Sequence, residues 1–260
     1  MWVIAGAIFA GCKWQTWWQA RAARRGAGTW RRSVAYLLLW PGMDAQAFLA
    51  ASATKRVAPA KEYLAAIAKM LTGITLVWSG ARVISLGRPL LGGWTGMMGL
   101  VLVLHFGTFH LIALAWQRAG LPVKPIMQQP LQSRSLNELW GKRWNLGFRK
   151  LSYAWVFQPL QKRFGAAVGT LGAFLASGLL HELVISVPAR AGYGLPTAYF
   201  LAQGMGVLFE RSEAGTRFGR CRGASGWAWT ALVAAGPVYA LFHPEFVTRV
   251  MVPFLSAVAS

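Results

Sequence analysis

Two titratable residues, His181 and Glu182, interrupt the apolar run FLASGLLHELVIS at 174–186. Histidine can take a proton near neutral pH, which suits a general base. A polar group in hydrocarbon is expensive and normally faces a cavity or a partner. On an α-helix, Phe174, Ser177, Gly178 and Ile185 share the face of His181. Ser177 and Gly178 are small and lie one turn earlier, which leaves volume beside the imidazole. The alternative for His181 is a structural bond to a neighbouring helix. Glu182 lies about 100° further round the helix, placed to orient a neighbour or to pair with an arginine.

Asn145, in LWGKRWNLGFRK, is the second candidate, its alternative being a solvated residue on a polar helix face. His105 and His110, in LVLHFGTFHLIAL, also fall in an apolar run. They lie about 140° apart on an α-helix, which points to structural roles. His243 precedes Pro244 and reads as a helix cap or stop. The two cysteines, Cys12 and Cys221, stand far apart without CxxC spacing, so neither a metal nor a redox site is expected. No G-x-S-x-G elbow and no G-x-G-x-x-G loop after a strand is present, which argues against hydrolase and dinucleotide chemistry.

The elements that hold these residues must be membrane elements. Of 260 residues, 55% are hydrophobic and only 13% charged, about half the charged share of a soluble domain. Mean hydropathy is +0.41. The expected fold is all-α, a polytopic transmembrane bundle of about seven spans within a range of six to nine. They run roughly over 2–18, 63–85, 91–116, 166–187, 195–209, 227–242 and 246–258. Residues 34–43 (VAYLLLWPGM) are too short to cross and read as re-entrant or interfacial. The opening MWVIAGAIFAGC lacks a basic leader and is not read as a removable signal.

A net charge of +20 would suggest nucleic acid in a soluble protein, but these bases fall between apolar runs, so no nucleic-acid partner is expected. With the first span running outside to inside, 21 of the 27 basic residues lie in inward loops and four outside. Lys13 and Lys69 fall within spans and would snorkel. The whole of 1–260 reads as one integral-membrane domain with its basic loops cytoplasmic.

Within the long basic loop, Ser135-Leu136-Asn137-Glu138 has capping-box spacing. An amphipathic surface helix is expected over 131–152. Leu136, Trp140, Trp144, Gly147, Phe148 and Leu151 would face the membrane, opposite Lys142, Asn145 and Arg149.

Trp140, Trp144 and Asn145, followed by Ser177, Gly178 and His181, make the pattern W-x-x-x-W-N then S-G-x-x-H. This pattern, with YLLLWPGMDAQAFL near the start, resembles the wax-synthase-like branch of the membrane-bound O-acyltransferase superfamily, bacterial members in particular. The resemblance covers roughly 34–211. It implies a bundle around a catalytic tunnel, His181 as catalytic histidine and Asn145 as its partner. It also implies acyl-CoA as donor, a lipid-like alcohol as acceptor and no resident cofactor or metal. Substrate would meet Trp140, Trp144, Lys142, Arg143, Ser177, Gly178 and Glu182, with Lys142, Arg143, Arg149 and Lys150 facing the phosphates of CoA. Diacylglycerol, a sterol or a hydroxylated natural product are alternative acceptors. A proton-coupled transporter using His181 and Glu182 is the alternative of another class.

Overall fold

The computed structural model describes residues 1–21, 29–49, 55–217 and 223–259. Among these residues the secondary structure is helical, with no strand. Three helices are long and apolar enough to cross a membrane: Ala60–Ser85, Pro89–Arg118 and Ala166–Ala189. They correspond to three of the seven expected spans. The described residues are thus all-helical, with three helices able by length and composition to cross a membrane, and the expected count of seven is not reproduced.

The other four expected spans fall short for visible reasons. Trp2–Arg21 has 20 residues, but Lys13, Gln15, Thr16 and Gln19 dilute its apolar character. Leu195–Arg211 has 17 residues and ends in Glu210 and Arg211. Gly223–Ala235 stops ahead of Gly236 and Pro237. The last run divides into Pro244–Phe246, a π-helical turn at Val247–Met251 and Val252–Ala259. Thr29–Leu39, only 11 residues, stops before Pro41, as expected of a piece that does not cross. Of the expected inward bases, Arg24, Arg25, Arg220 and Arg222 lie outside the described residues.

The chain divides into two compact units. One comprises Val3–Met127 with Leu255–Ser260. Its centre is the hairpin of Ala60–Ser85 and Pro89–Arg118. Gly87, at φ 78°, ends the first helix, and Pro89 occupies the first turn of the second. Backbones then meet through glycine: a Cβ on Gly80 would lie 2.7 Å from the Gly92 carbonyl oxygen, and one on Gly99 2.6 Å from that of Gly73. Small residues at a crossing allow the close packing that apolar helices need in lipid.

A π-helical stretch, Leu102–Thr108, interrupts the second helix, and the Phe109 N–H donates to the Leu104 carbonyl. This five-residue turn narrows the angular separation that an α-helix would give His105 and His110. Elsewhere in the unit, Lys13 does not snorkel. It is 2% exposed, donates to the Gly42 carbonyl at 2.7 Å and lies 3.4 Å from the Tyr36 ring centroid. Its ammonium finds a carbonyl and a π-face inside the protein, where a span end would have offered water.

The other unit comprises Met1–Trp2 and Gln128–Phe254 and contains every candidate residue of the W-x-x-x-W-N and S-G-x-x-H elements. Helices Ala166–Ala189 and Leu195–Arg211 pack antiparallel. A Cβ on Gly178 would lie 2.7 Å from Thr197 Cα, and one on Gly204 3.0 Å from the Phe174 ring. The space expected beside the imidazole at Gly178 is therefore taken by the Thr197 backbone.

The expected surface helix over 131–152 is broken. A turn at Leu136–Glu138 runs into a π-helical turn at Leu139–Arg143, and a new helix starts at Leu146–Ser152. Between them Trp144 is extended (φ −100°, ψ 128°) and Asn145 left-handed (φ 42°, ψ 55°). Asn tolerates that region better than most residues with a Cβ. The break has a competitor behind it. The Arg143 carbonyl, which a continuing helix would offer to residue 147, accepts the Gln128 N–H at 2.8 Å. Leu136, Gly147 and Leu151 are buried within the protein, where the expected stripe would have faced the membrane. Ser135 caps the first turn, its hydroxyl accepting the Glu138 N–H at 2.9 Å. Glu138 reaches back to the Arg134 N–H at 2.8 Å, one residue beyond the expected capping-box partner.

Candidate functional site

His181 is the last α-helical residue before a π-helical turn, Glu182–Ser186. Its Nδ1 lies 2.7 Å from the Ser177 carbonyl oxygen, one turn back. A carbonyl only accepts, so Nδ1 carries the hydrogen and the neutral ring presents its lone pair at Nε2. The imidazole packs on Phe200, with ring centroids 4.4 Å apart at 43°, and is partly exposed. The Ser177 hydroxyl donates to the Ala173 carbonyl at 3.0 Å. Ser177 thus serves the imidazole with its backbone.

Phe200 joins this histidine to the Trp pair. Its centroid is 5.9 Å from that of Trp140. Trp140 meets Phe174 edge-on at 6.0 Å and Trp144 at 6.3 Å. The Trp140 indole N–H donates to Gln203 Oε1 at 3.3 Å, and the fully buried Gln203 gives its amide to the Val233 carbonyl at 2.7 Å. Asn145 follows directly after Trp144 in its left-handed turn. Sequence reasoning passed over Phe200 and Gln203. Both sit in a helix read only as a span, and the signal was a glutamine buried in an apolar run, seven residues ahead of a glutamate.

Two carboxylates register the elements against Leu195–Arg211. Glu182 Oε1 accepts from the Gly194 N–H at 3.0 Å, the Thr197 N–H at 3.1 Å and the Thr197 hydroxyl at 2.9 Å. It caps the start of that helix from the histidine helix, and none of these partners is the arginine that the sequence offered as one option. At the far end Glu210, 4% exposed, accepts from the Leu136 N–H at 2.6 Å, the Asn137 N–H at 3.1 Å and the Trp229 indole N–H at 3.1 Å. The two backbone donors are orphans at the start of the turn leading to Trp140. Arg211 adds a bond to Asn137 Oδ1 at 2.6 Å.

Of the four expected phosphate-facing bases, Arg149 and Lys150 are exposed and Arg143 turns inward. It lies 2.7 Å from Glu138 Oε1 and donates to the Gln128 and Gln129 carbonyls at 3.3 Å each. Lys142 is exposed. The Arg134 N–H, and with it the Arg143 guanidinium, holds the Glu138 carboxyl below the ordinary range. His243 caps Pro244–Phe246, accepting the Phe246 N–H at 3.2 Å, as its place before Pro244 suggests. No group of three or more His, Cys, Asp or Glu residues able to hold a metal occurs among the described residues.

Comparison with known proteins points to the same region. The chain is 32% identical over 147 residues to a probable long-chain-alcohol O-fatty-acyltransferase 2 of Arabidopsis thaliana, covering 51% of this chain and 42% of that one. It is 30% identical over 100 residues to the long-chain-alcohol O-fatty-acyltransferase of Simmondsia chinensis, covering 35% and 28%. It is 28% identical over 79 residues to an acyl-CoA–sterol O-acyltransferase 1 of Arabidopsis thaliana, covering 28% and 23%. The chain therefore spans less than half the length of each. Residues 123–202, which hold Trp140, Trp144, Asn145, Ser177, Gly178, His181, Glu182 and Phe200, match the membrane bound O-acyl transferase family.

Proposed function

We propose that the chain is a membrane O-acyltransferase that moves a fatty acyl group from acyl-CoA to the hydroxyl of a long-chain alcohol, forming a wax ester. The observation that carries this reading is the Nδ1 bond of His181 to the Ser177 carbonyl at 2.7 Å, because it leaves Nε2 as the acceptor a general base needs. The names of the relatives supply the substrate class.

In the reaction, His181 Nε2 takes the hydroxyl proton as the alcohol oxygen attacks the thioester carbonyl. A C–O bond forms and the C–S bond breaks. The CoA thiolate leaves and recovers the proton from the imidazolium. General-base help is worth about 10²–10⁴ in rate. Asn145 donates its amide hydrogen to the carbonyl oxygen as charge develops there, a term of about 3 kcal/mol where water is excluded. Phe200 covers one side of the imidazole. Lys142, exposed, meets the phosphates of CoA, while Arg143 shapes the turn that presents it. No acyl-enzyme and no resident cofactor is required. The distribution of basic residues supports these loops lying on the cytoplasmic face, and a bacterial inner membrane is the proposed location.

A sterol acceptor is the second reading, supported by the sterol acyltransferase among the relatives. The deciding experiment gives membranes containing the chain labelled acyl-CoA with long-chain alcohols, diacylglycerol and a sterol, beside membranes without it. Wax ester as the main product is the expected result. Steryl ester would reassign the acceptor, and no ester with any alcohol would remove the function.

A further inference from the structure

We infer that Glu182 is a positioning residue for the transfer reaction, an N-terminal cap that sets Phe200 against His181, and not a group that touches substrate. The inference rests on the acyl-transfer reading for its kinetic consequence. Its geometry stands by itself. Four residues of the histidine helix meet the antiparallel helix in one register. Phe174 faces Gly204, Gly178 receives the Thr197 backbone, Glu182 binds Gly194 and Thr197, and His181 packs at a tilt on Phe200. Thr197 and Phe200 are three residues apart and so lie on neighbouring turns of one face.

The N–H groups at the start of Leu195–Arg211 have no partner within their own helix. Gly194, its N-cap, is left-handed and makes no side-chain bond. A glycine cap has no side chain to offer, so the acceptor comes from the neighbouring helix. One oxygen of Glu182 collects three donors, two backbone and one hydroxyl. With that oxygen removed, the first turn loses its anchor and Phe200 is no longer held at one height against the imidazole. The backbone carbonyl that fixes the His181 tautomer stays in place, so the loss falls on placement of the base relative to substrate. Misplacement by about 1 Å can cost as much as 10²-fold in rate.

The donors converge on Oε1 alone, which gives the inference a sharp test. A carboxamide presents the same single acceptor without charge. In the intact protein, Glu182→Gln is expected to keep kcat close to wild type. Glu182→Ala is expected to lower kcat about 10- to 100-fold with KM for acyl-CoA nearly unchanged. Amide hydrogen exchange over 194–200 is expected to rise in the alanine variant and stay protected in the glutamine variant. Glu182→Gln as inactive as Glu182→Ala, with protected amides, would overturn the inference, because the charge or a substrate contact would then be what matters. An alanine variant with normal kcat would overturn it as well. Wild type and His181→Ala, run alongside, report on the acyl-transfer reading separately, and the exchange measurement needs no activity.

Discussion

His181 and His105 make an instructive pair. Each lies in a long apolar helix beside or within a π-helical turn, and each is partly exposed. They differ in what holds the first nitrogen. His181 Nδ1 is bound to the Ser177 carbonyl. His105 Nδ1 is buried with no hydrogen-bond partner among the described residues, and its ring meets Phe109 edge-on at 5.4 Å. A fixed donor on one nitrogen dictates a lone pair on the other, so His181 is prepared to accept a proton. No partner among the described residues fixes Nδ1 of His105. The chemical readiness of a membrane histidine is therefore set by the partner of its second nitrogen, not by its depth.

The widest separation between the two should appear on removal. His181→Ala is expected to lower acyl transfer about 10²–10⁴-fold, with His105→Ala leaving it unchanged in the same membranes. Equal losses would erase the distinction. Next comes Asn145, where backbone and amide roles can be parted. Asn145→Gly keeps the left-handed turn, so stability should hold while turnover falls about 10²-fold. An active glycine variant would make Asn145 a turn residue only.

A smaller effect concerns the frame around each histidine. Gly80→Ala drives a methyl into the Gly92 backbone and should cost about 1–3 kcal/mol in detergent unfolding. Gly141→Ala, whose Cβ would meet nothing within 4 Å, should cost far less. The smallest is a pH effect. The folded-state carboxyl of Glu138 lies below its unfolded value of about 4.3. Its contribution is therefore present above pH 4.3 and lost as pH falls through the lower folded value. Glu138→Gln should flatten the fall of unfolding temperature in that acid window, and an unchanged slope would show that the cap carries no charge term.

Much of the site was legible one residue at a time. The capping spacing at Ser135, the apolar stripe at Leu136, Gly147 and Leu151 (though not what it packs against), and the isolated His181 follow from local pattern. The surface helix was misread because pattern carries no knowledge of competitors. Residues 142–151 keep helical periodicity, yet the Arg143 carbonyl is claimed by Gln128, and only Asn145 in a left-handed turn lets the chain continue. The space expected at Gly178 was likewise closed by a residue 19 positions away. Phe200 escaped notice because nothing local marks a phenylalanine as the wall of a site, and Gln203 and Glu210 because their helix was read only as a span.

By itself the sequence determined the solvent this protein needs. Apolar runs with few charges force helices, since hydrocarbon leaves backbone groups no partner but one another. It also determined which residues could carry a proton or an amide bond. Only the tertiary structure decided which nitrogen of His181 is free, which oxygen of Glu182 gathers the donors, and that one helix ties both halves of the site together. Hydrogen bonds between distant elements depend on angles and distances of a few tenths of an ångström, and no spacing along a chain encodes those.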